Sequence, residues 1–216
     1  MEPRESRITG IAPAPRRSDR FIVERDGTAW VSLSAARIAE LGLQVGEWLS
    51  SERVAAIERA SALEAAQEVA LRLLAVRPRS EAELATRLRR KGYASEIIED
   101  VLRRLRMLGY LDDRAFAEAW VTQRRRSNPR GPKLLRRELR DKGIAPDLIE
   151  AVVPAEPEEE LRLAREVARK HWPRLASLDR AVARRRLAGL LERRGFSWTT
   201  IRSVLSEYTG IDPENA

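Results

Sequence analysis

The sequence contains no cysteine and only one histidine among its 216 residues. The lack of thiols excludes a disulfide framework and a thiolate metal site, and His171 alone cannot form an imidazole cluster. We therefore expect no metal and no cofactor, and we assign His171 a cationic or hydrogen-bonding role on the surface. No window approaches the roughly 18 apolar residues of a membrane span, and the charged N-terminus has no apolar stretch typical of a signal peptide. These absences predict a cytoplasmic protein that does not associate with membranes.

Motifs of nucleotide-dependent enzymes are also lacking. Gly27, Gly42 and Gly46 are scattered, and no Gly-Lys-Ser or Gly-Lys-Thr follows them, so there is no glycine-rich phosphate loop. The carboxylates Asp112 and Asp113 resemble a metal site or a general acid pair. The start of a helix, where carboxylates cap the backbone and favour the macrodipole, explains both. We therefore expect no catalytic residue.

A short pattern is present three times, and each copy ends in a basic residue, a glycine and an apolar residue. The copies are Lys91-Gly92-Tyr93, Lys142-Gly143-Ile144 and Arg194-Gly195-Phe196. The glycines lie 143 − 92 = 51 and 195 − 143 = 52 residues apart, a period that indicates tandem copies of one supersecondary unit. Leucines precede each glycine by eight and four residues, and an isoleucine follows by six: Leu84, Leu88, Ile98, Leu135, Leu139, Ile149, Leu187, Leu191 and Ile201.

Each copy predicts a leucine helix with a defined start and end. Leucines four residues apart share a helical face, and a glycine just past them can take the left-handed conformation that closes a helix. Ser80, followed by Glu83 in a capping box, and Gly131 mark the start in the first two copies. The third copy has Ala183 there, a poor cap, so we expect its helix to begin near Asp179.

An apolar-periodic helix precedes each leucine helix, and another follows the glycine. Three helices per copy is the simplest interpretation, with the apolar positions forming the core. The preceding helices are predicted over residues 62–76, 113–126 and 158–171. The repeats are assigned to residues 61–111, 112–153 and 154–216.

The first 60 residues differ in kind. Residues 21–25 and 28–32 flank Asp26-Gly27, which is the strongest short signal for a β-hairpin. Val23 is expected to face Trp30 across the ribbon. Because an isolated hairpin is marginal in water, it should pack on a following helix.

That helix is predicted to begin after Ser34 and to end at Gly42, and a second helix to begin near Ser51. Residues 1–18, with three prolines among arginines, are interpreted as a mobile tail. Residues 19–60 then form a hairpin and helix module. The packing contact is assigned to Leu43, Val45 and Trp48.

The formal charge of +8 is unevenly distributed. Residues 1–60 hold nine basic and nine acidic residues, whereas residues 114–153 hold ten and five. Such a cluster suits a polyanion or an acidic protein surface, and the alternative is a solvated helix face in an arginine-rich protein. The first candidates for partner contact are Arg124, Arg125, Arg126, Arg130, Lys133, Arg136 and Arg137. The second group is Arg89, Arg90, Lys91, Arg184, Arg185, Arg186, Arg193 and Arg194.

Several aromatic residues allow two interpretations, as core residues or as stacking platforms for single-stranded bases. Core packing is favoured where the residue lies beside a glycine cap or on an apolar face. It is assigned to Tyr93, Tyr110, Phe116, Trp120 and Phe196. Trp198, in the first turn of the last helix, fits packing and partner contact equally.

A larger set of residues occurs in a fixed order along the chain. Its segments are 77–84, Lys91-Gly92-Tyr93, 109–113, Phe116-Ala117, Trp120-Val121, Gly131, Leu135, Glu138-Leu139, Lys142-Gly143-Ile144, 193–197 and Ile201. This set resembles the signature of the RecX family, the regulators of the RecA recombinase. The hairpin is similar to the N-terminal extension of longer family members. The resemblance covers residues 20–208.

The resemblance implies a mainly α-helical protein, in which tandem three-helix repeats form an elongated, curved array. It implies a non-enzymatic, monomeric regulator that lodges in the groove of the RecA nucleoprotein filament. There it would modulate ATPase, recombinase and coprotease activities in DNA repair and the SOS response. Two departures from the family pattern are Ala183 in place of a cap and a helix that ends at His171-Trp172-Pro173. We therefore expect a looser boundary between the second and third copies.

The alternative hypothesis is an independent DNA-binding protein with helix-turn-helix-like modules. Its reading residues would lie just after the glycines, at the start of a recognition helix. Glu96 and Asp147 at those positions fit poorly beside phosphate. Non-specific affinity for single- or double-stranded DNA is expected as a secondary property.

Overall fold

The computed structural model describes residues 6–15 and 17–210. Within these ranges the chain forms ten α-helices, one short 3-10 helix and four β-strands. Two compact units are present. The first contains the chain up to Pro78 together with Leu84–Tyr110, and the second contains Arg79–Glu83 together with the chain from Leu111 onward. No helix in the described ranges is both long and apolar enough to cross a membrane.

The N-terminal part of the first unit is a four-stranded antiparallel sheet. Its strands are β1 (Ser6–Ala14), β2 (Arg17–Arg25), β3 (Thr28–Ser34) and β4 (Trp48–Leu49), in the order β3-β2-β1-β4. The predicted turn is confirmed, because Asp26 and Gly27 have φ of 52° and 79°, as a type I′ hairpin requires. A register shift follows, so Val23 pairs with Val31 and not with Trp30 as predicted.

The prediction of a mobile tail is wrong for residues 6–14 and 17–18, which lie in β1 and β2; residues 1–5 and 16 lie outside the described residues. Ile8 in β1 is fully buried in the sheet's core. Pro13 misled the prediction, because proline cannot donate to a neighbouring strand. In the described part of the sheet β4 pairs with β1 only at Ser6 and Arg7, so Pro13 lies along an open edge where proline is tolerated.

Helix α1 (Ala35–Leu41) follows β3, as the sequence predicts. The side chain of Ser34 accepts a hydrogen bond from the backbone N–H of Arg37 at 3.2 Å. Gly42 closes the helix with φ of 62°, and these two residues set its length.

Only one of the three residues assigned to pack on the sheet does so. Leu43 is buried, whereas the exposed fractions of Val45 and Trp48 are 62% and 61%. Side chains alternate between the two faces of a strand, so Leu49 takes the inner face of β4 and Trp48 the outer. The core of this region consists of Ile8, Val23, Leu33, Leu43, Leu49 and Ile57.

A single helix connects this sheet to the first repeat. Helix α2 (Ser51–Val76) runs for 26 residues, beginning at a Ser50 cap. Ile57 is buried against the sheet, and Ala66 and Ala70 are buried further along. The two helices predicted near Ser51 and over residues 62–76 are therefore one continuous element.

The remaining helices follow the predicted repeat. They are α3 (Glu81–Arg90), α4 (Ser95–Met107), α5 (Asp113–Ser127), α6 (Pro132–Asp141), α7 (Pro146–Val152), α8 (Pro157–His171), α9 (Arg180–Arg193) and α10 (Trp198–Thr209), with a 3-10 helix at Trp172–Arg174. The predicted helices before the second and third leucine helices are confirmed. All nine periodic leucines and isoleucines are buried. The second and third copies each enclose a hydrophobic cluster of their own.

The helix caps agree with the sequence except at one residue. Ser80 accepts from the backbone N–H of Glu83 at 3.2 Å. Asp179 caps α9 by accepting from the N–H groups of its first turn, which confirms the expected start. Asp112 caps α5, but the carboxylate of Asp113 accepts from the N–H of Glu81 at 2.9 Å. Asp113 therefore also satisfies the start of α3.

Within the second unit, the first turn of α3 packs against the glycine turn that ends α6. The hydroxyl of Ser80 is fully buried and donates to the carbonyl oxygen of Lys142 at 2.6 Å. The ammonium group of Lys142 lies 2.5 Å from the carboxylate of Glu83. A Cβ at Gly143 would overlap the side chain of Ala82, so this contact requires glycine.

The first turn of α6 makes the equivalent contact with the turn that ends α9. The N–H of Gly131 donates to the carbonyl of Arg194 at 2.8 Å, and that of Lys133 to the carbonyl of Gly195 at 3.2 Å. A Cβ at Gly195 would overlap the backbone of Leu134. The second and third copies are thus joined backbone to backbone, and the expectation of a looser boundary is wrong.

Candidate partner-binding surface

The basic cluster of the second copy is organised around one carboxylate. Glu138 on α6 accepts from the indole N–H of Trp120 at 2.9 Å and from Nε of Arg124 at 3.2 Å. Glu138 also forms an ion pair with Arg130. The charged groups of Arg124 and Lys142 lie over the Trp120 ring, 4.2 and 4.8 Å from its centroid. The three cations named here therefore stabilise the packing within the second copy.

Burial acts on the pKa of two arginines in this region. Burial, followed by the charges of Arg124 and Arg194, lowers the pKa of Arg130. Burial also lowers the pKa of Arg194, whose Nη1 donates to the side-chain oxygen of Asn128 at 2.6 Å. A guanidinium titrates so far above neutrality that both groups stay charged. Arg130 and Arg194 are structural cations, at the centre of the copy and at its joint with the next.

Two further arginines of the first candidate group are tied to acids. Arg125 lies 3.4 Å from the carboxylate of Glu156. Arg136 lies 3.1 Å from Glu150, and its Nη2 donates to the carbonyl of Val153 at 2.7 Å. Arg136 therefore connects α6 to the end of α7.

Three residues of the first candidate group differ from the other four: they are Arg126, Lys133 and Arg137. All three are exposed, and their side chains have no acidic partner within residues 6–15 and 17–210. An exposed cation without an internal partner contributes its charge to the field outside the protein. The seven residues that the sequence groups together are therefore four internally paired cations and three unpaired ones.

The second candidate group is divided between the two units. In the first unit, Arg89, Arg90 and Lys91 are exposed at the end of α3. In the second unit, α9 presents Arg185, Arg186 and Arg193 to solvent, while Arg184 is half-buried and Arg194 belongs to the joint.

Phe116 and Phe196 are in the core as assigned, and the other aromatic residues are less buried. At least half-buried are Tyr93, Phe116, Trp120 and Phe196. Tyr110 is the exception at 58% exposure, because it follows the turn at Gly109 and the next residue, Leu111, takes the buried position. Trp198 is 59% exposed, so its ring faces solvent and does not fit core packing. Contact of this ring with a partner stays a prediction.

Comparison with known proteins adds an independent observation. Three family models match in order: the first three-helix domain of RecX over residues 66–105, the second over residues 112–153 and the third over residues 158–205. The chain is 32% identical to the regulatory protein RecX of Geobacillus kaustophilus over 205 residues, covering 93% of this chain and 76% of that protein.

Two more similarities concern the repeats and the fold. The chain is 40% identical to the regulatory protein RecX of Mycobacterium leprae over 144 residues, covering 66% of this chain and 84% of that protein. A crystal structure of a regulatory protein RecX matches it with a TM-score of 0.74 at 25% identity. That match covers 92% of this chain and 98% of the other.

Proposed function

Because the chain belongs to the RecX family, we propose that it regulates RecA by binding along the groove of the RecA nucleoprotein filament. It lowers the filament's ATPase, recombinase and coprotease activities in DNA repair and the SOS response. It works as a cytoplasmic monomer and without catalysis. The observation that carries this proposal is the ordered match of three consecutive three-helix domains, because similarity confined to one domain would support only a shared fold.

The packing within the second unit supports a scaffold role. The first turn of α3 is docked on the end of α6, and the first turn of α6 on the end of α9, by buried hydrogen bonds. The joint between α6 and α9 holds the second and third copies at a fixed spacing. Contacts that are weak singly then act together, because after the first contact the others form at high effective concentration.

The anchor of this scaffold is the exposed part of the basic cluster, namely Arg126, Lys133 and Arg137. These cations are free to contact acidic side chains of the filament or the phosphates that it encloses. The paired residues Arg124, Arg125, Arg130 and Arg136 hold the anchor in place. The exposed second-group residues Arg89, Arg90, Lys91, Arg185, Arg186 and Arg193 add secondary contacts, and half-buried Arg184 and Arg194 contribute less.

The direct test adds the purified protein to its cognate RecA on single-stranded DNA and follows ATP hydrolysis, beside binding to bare DNA at rising salt. We expect inhibition at concentrations well below that of RecA, with weak and salt-sensitive affinity for bare DNA. Sequence-selective duplex binding without any effect on hydrolysis would instead identify an independent DNA-binding protein.

The anchor is tested by changing Arg126, Lys133 and Arg137 together to Ala. Each exposed ion pair is worth about 0.2–1 kcal/mol, so the loss of three should lower filament affinity by roughly 3- to 160-fold while helicity is retained. The matched control changes three exposed arginines that already pair with local acids, Arg72, Arg103 and Arg162. Equal losses of filament affinity in the two variants would contradict the proposed role of the anchor.

A further inference from the structure

A cleft of about 420 Å³ is present in the third copy, between the end of α8, the 3-10 helix and α9. Its lining is His171, Arg174, Leu175, Arg185, Arg186, Leu190 and Arg193. Four guanidinium groups and one imidazole therefore border a single space, with two leucines supplying apolar surface. None of these lining residues is acidic.

The four arginines of the cleft differ from the other arginines of the third copy in their lack of partners among the described residues. Within the described ranges, the side chains of Arg174, Arg185, Arg186 and Arg193 form no hydrogen bond or ion pair. Other arginines of the same copy behave differently: Arg162 pairs with Glu159, and Arg165 with Glu207. Like charges crowded around a concave surface repel one another and attract a counter-ion.

Burial and the surrounding positive charges both disfavour the protonated form of the histidine in the cleft. Burial, followed by the charges of Arg194, Lys170 and Arg174, lowers the pKa of His171. Arg185, Arg186 and Arg193 line the same space from α9. In the free protein the imidazolium is thus disfavoured, whereas a bound anion would favour it.

A glycine inside α9 bears on the position of one cleft arginine. Gly189 lies in the helix interior, where glycine is less favourable than alanine by about 1 kcal/mol. A Cβ there would stand 3.1 Å from Nη1 of Arg193. The missing side chain lets the guanidinium of Arg193 lie back along the helix.

We propose that this cleft binds a phosphate-bearing ligand, with the four arginines on the phosphate oxygens and the two leucines beneath its apolar part. Planar guanidinium forks match phosphate oxygens in pairs, and several phosphates in a row carry enough negative charge for four unpaired cations. A single carboxylate carries too little negative charge to balance these four cations. The volume lies in the range of small-ligand sites. The phosphates can come from a free nucleoside triphosphate or from a nucleic-acid strand, which share this chemistry.

The test uses the imidazole of His171, which lies in the cleft, as its reporter. Since the sequence has one histidine, NMR resolves the imidazole of His171. Its pH titration is recorded alone and with ATP, inorganic tripolyphosphate, a single-stranded oligothymidylate or hexaglutamate. We expect the phosphate ligands to raise the pKa of His171. Saturation by ATP and tripolyphosphate identifies a free nucleotide as the source, and a response to the oligonucleotide alone identifies a strand.

Paired variants separate a defined site from general attraction. Changing Arg185 and Arg186 to Ala should weaken binding tenfold or more. Changing Arg162 and Arg165 to Ala alters the net charge equally in the same copy and should leave the affinity within about twofold. The proposal is overturned if no phosphate ligand shifts the titration, if hexaglutamate shifts it as far, or if both variants lose equally. The assay contains no RecA, so its outcome is independent of the proposed regulation.

Discussion

Gly92, Gly143 and Gly195 all have positive φ, of 89°, 74° and 81°, but their surroundings are unequal. Nothing lies within 4 Å of a Cβ placed on Gly92, whereas one placed on Gly143 or Gly195 overlaps the start of another leucine helix. At Gly92 the glycine serves only the backbone conformation. At the other two it also permits the joint between copies.

This difference predicts unequal costs of alanine. Gly92→Ala should lose only the left-handed strain, about 1–2 kcal/mol of unfolding free energy. Gly195→Ala should lose roughly 1–3 kcal/mol more, because the backbone of Leu134 must move away. Urea unfolding followed by circular dichroism measures both, and similar losses would show that the joint tolerates a side chain.

His171 predicts a dependence of stability on pH. Its pKa in the folded chain is lowered from an ordinary value of about 6.5. The unfolded chain then binds the proton more readily, so the free energy of unfolding should fall as the pH decreases through about 6.5. Urea unfolding at about pH 7.5 and about pH 5.5 measures this fall, which should be smaller in His171→Gln. An identical pH dependence in the variant would contradict a lowered pKa of His171.

At the scale of the element, helix boundaries are set by local chemistry and are therefore readable from sequence. Ser34, Ser80 and Asp179 each begin a helix where the residue order indicates it. The β1 strand was missed because Pro13 counted against a strand, although its partner β2 follows directly in sequence. Pairing with β2 and β4, rather than any propensity of its proline-containing segment, makes it a strand.

Two serine caps give a matched test of the joint. Ser50 caps α2 at an exposed site, whereas Ser80 caps α3 and also donates to the carbonyl of Lys142. Ser50→Ala should cost about 1 kcal/mol of unfolding free energy. Ser80→Ala should cost about 1–3 kcal/mol more, since a buried carbonyl loses its donor. Chemical denaturation of the two variants decides this, and equal losses would count against a contribution from the joint.

At the scale of the whole molecule, net charge does not identify the binding surface. The chain carries +8, but in the second copy four of the seven candidate cations are neutralised by nearby acids or held by backbone carbonyls. The charge available to a partner is the unpaired remainder. That remainder includes the exposed cations of the second copy and the cleft arginines of the third.

The salt dependence of non-specific DNA binding should depend on these unpaired cations. The logarithm of duplex affinity is expected to fall linearly with the logarithm of salt concentration, with a slope of about −0.9 per phosphate contact. Changing Arg126, Lys133 and Arg137 to Ala should make the slope shallower by up to about 2.7, if each holds one phosphate. Fluorescence anisotropy across a salt series measures it, with the Arg72, Arg103 and Arg162 variant as control. A slope unchanged by the first variant would mean that DNA is bound elsewhere.

The division of arginines into paired and unpaired could not be predicted from residue order. Arg125 meets Glu156, and Arg165 meets Glu207, across 31 and 42 residues of sequence. Repeat packing brings these partners together, and no periodic signal marks them. The candidate surface therefore stays a prediction, and only its division into paired and unpaired cations comes from the structure.

Residue order alone is enough to identify the helical repeat, its caps, its buried leucines and its family, because these depend on residues close in the chain and on a period of about one supersecondary unit. Only the packing of distant segments decided the pairing of β4 with β1, the close joints at Gly143 and Gly195, and which cations lack partners among the described residues. Those features depend on groups far apart in sequence, whose separation is set only when the copies pack.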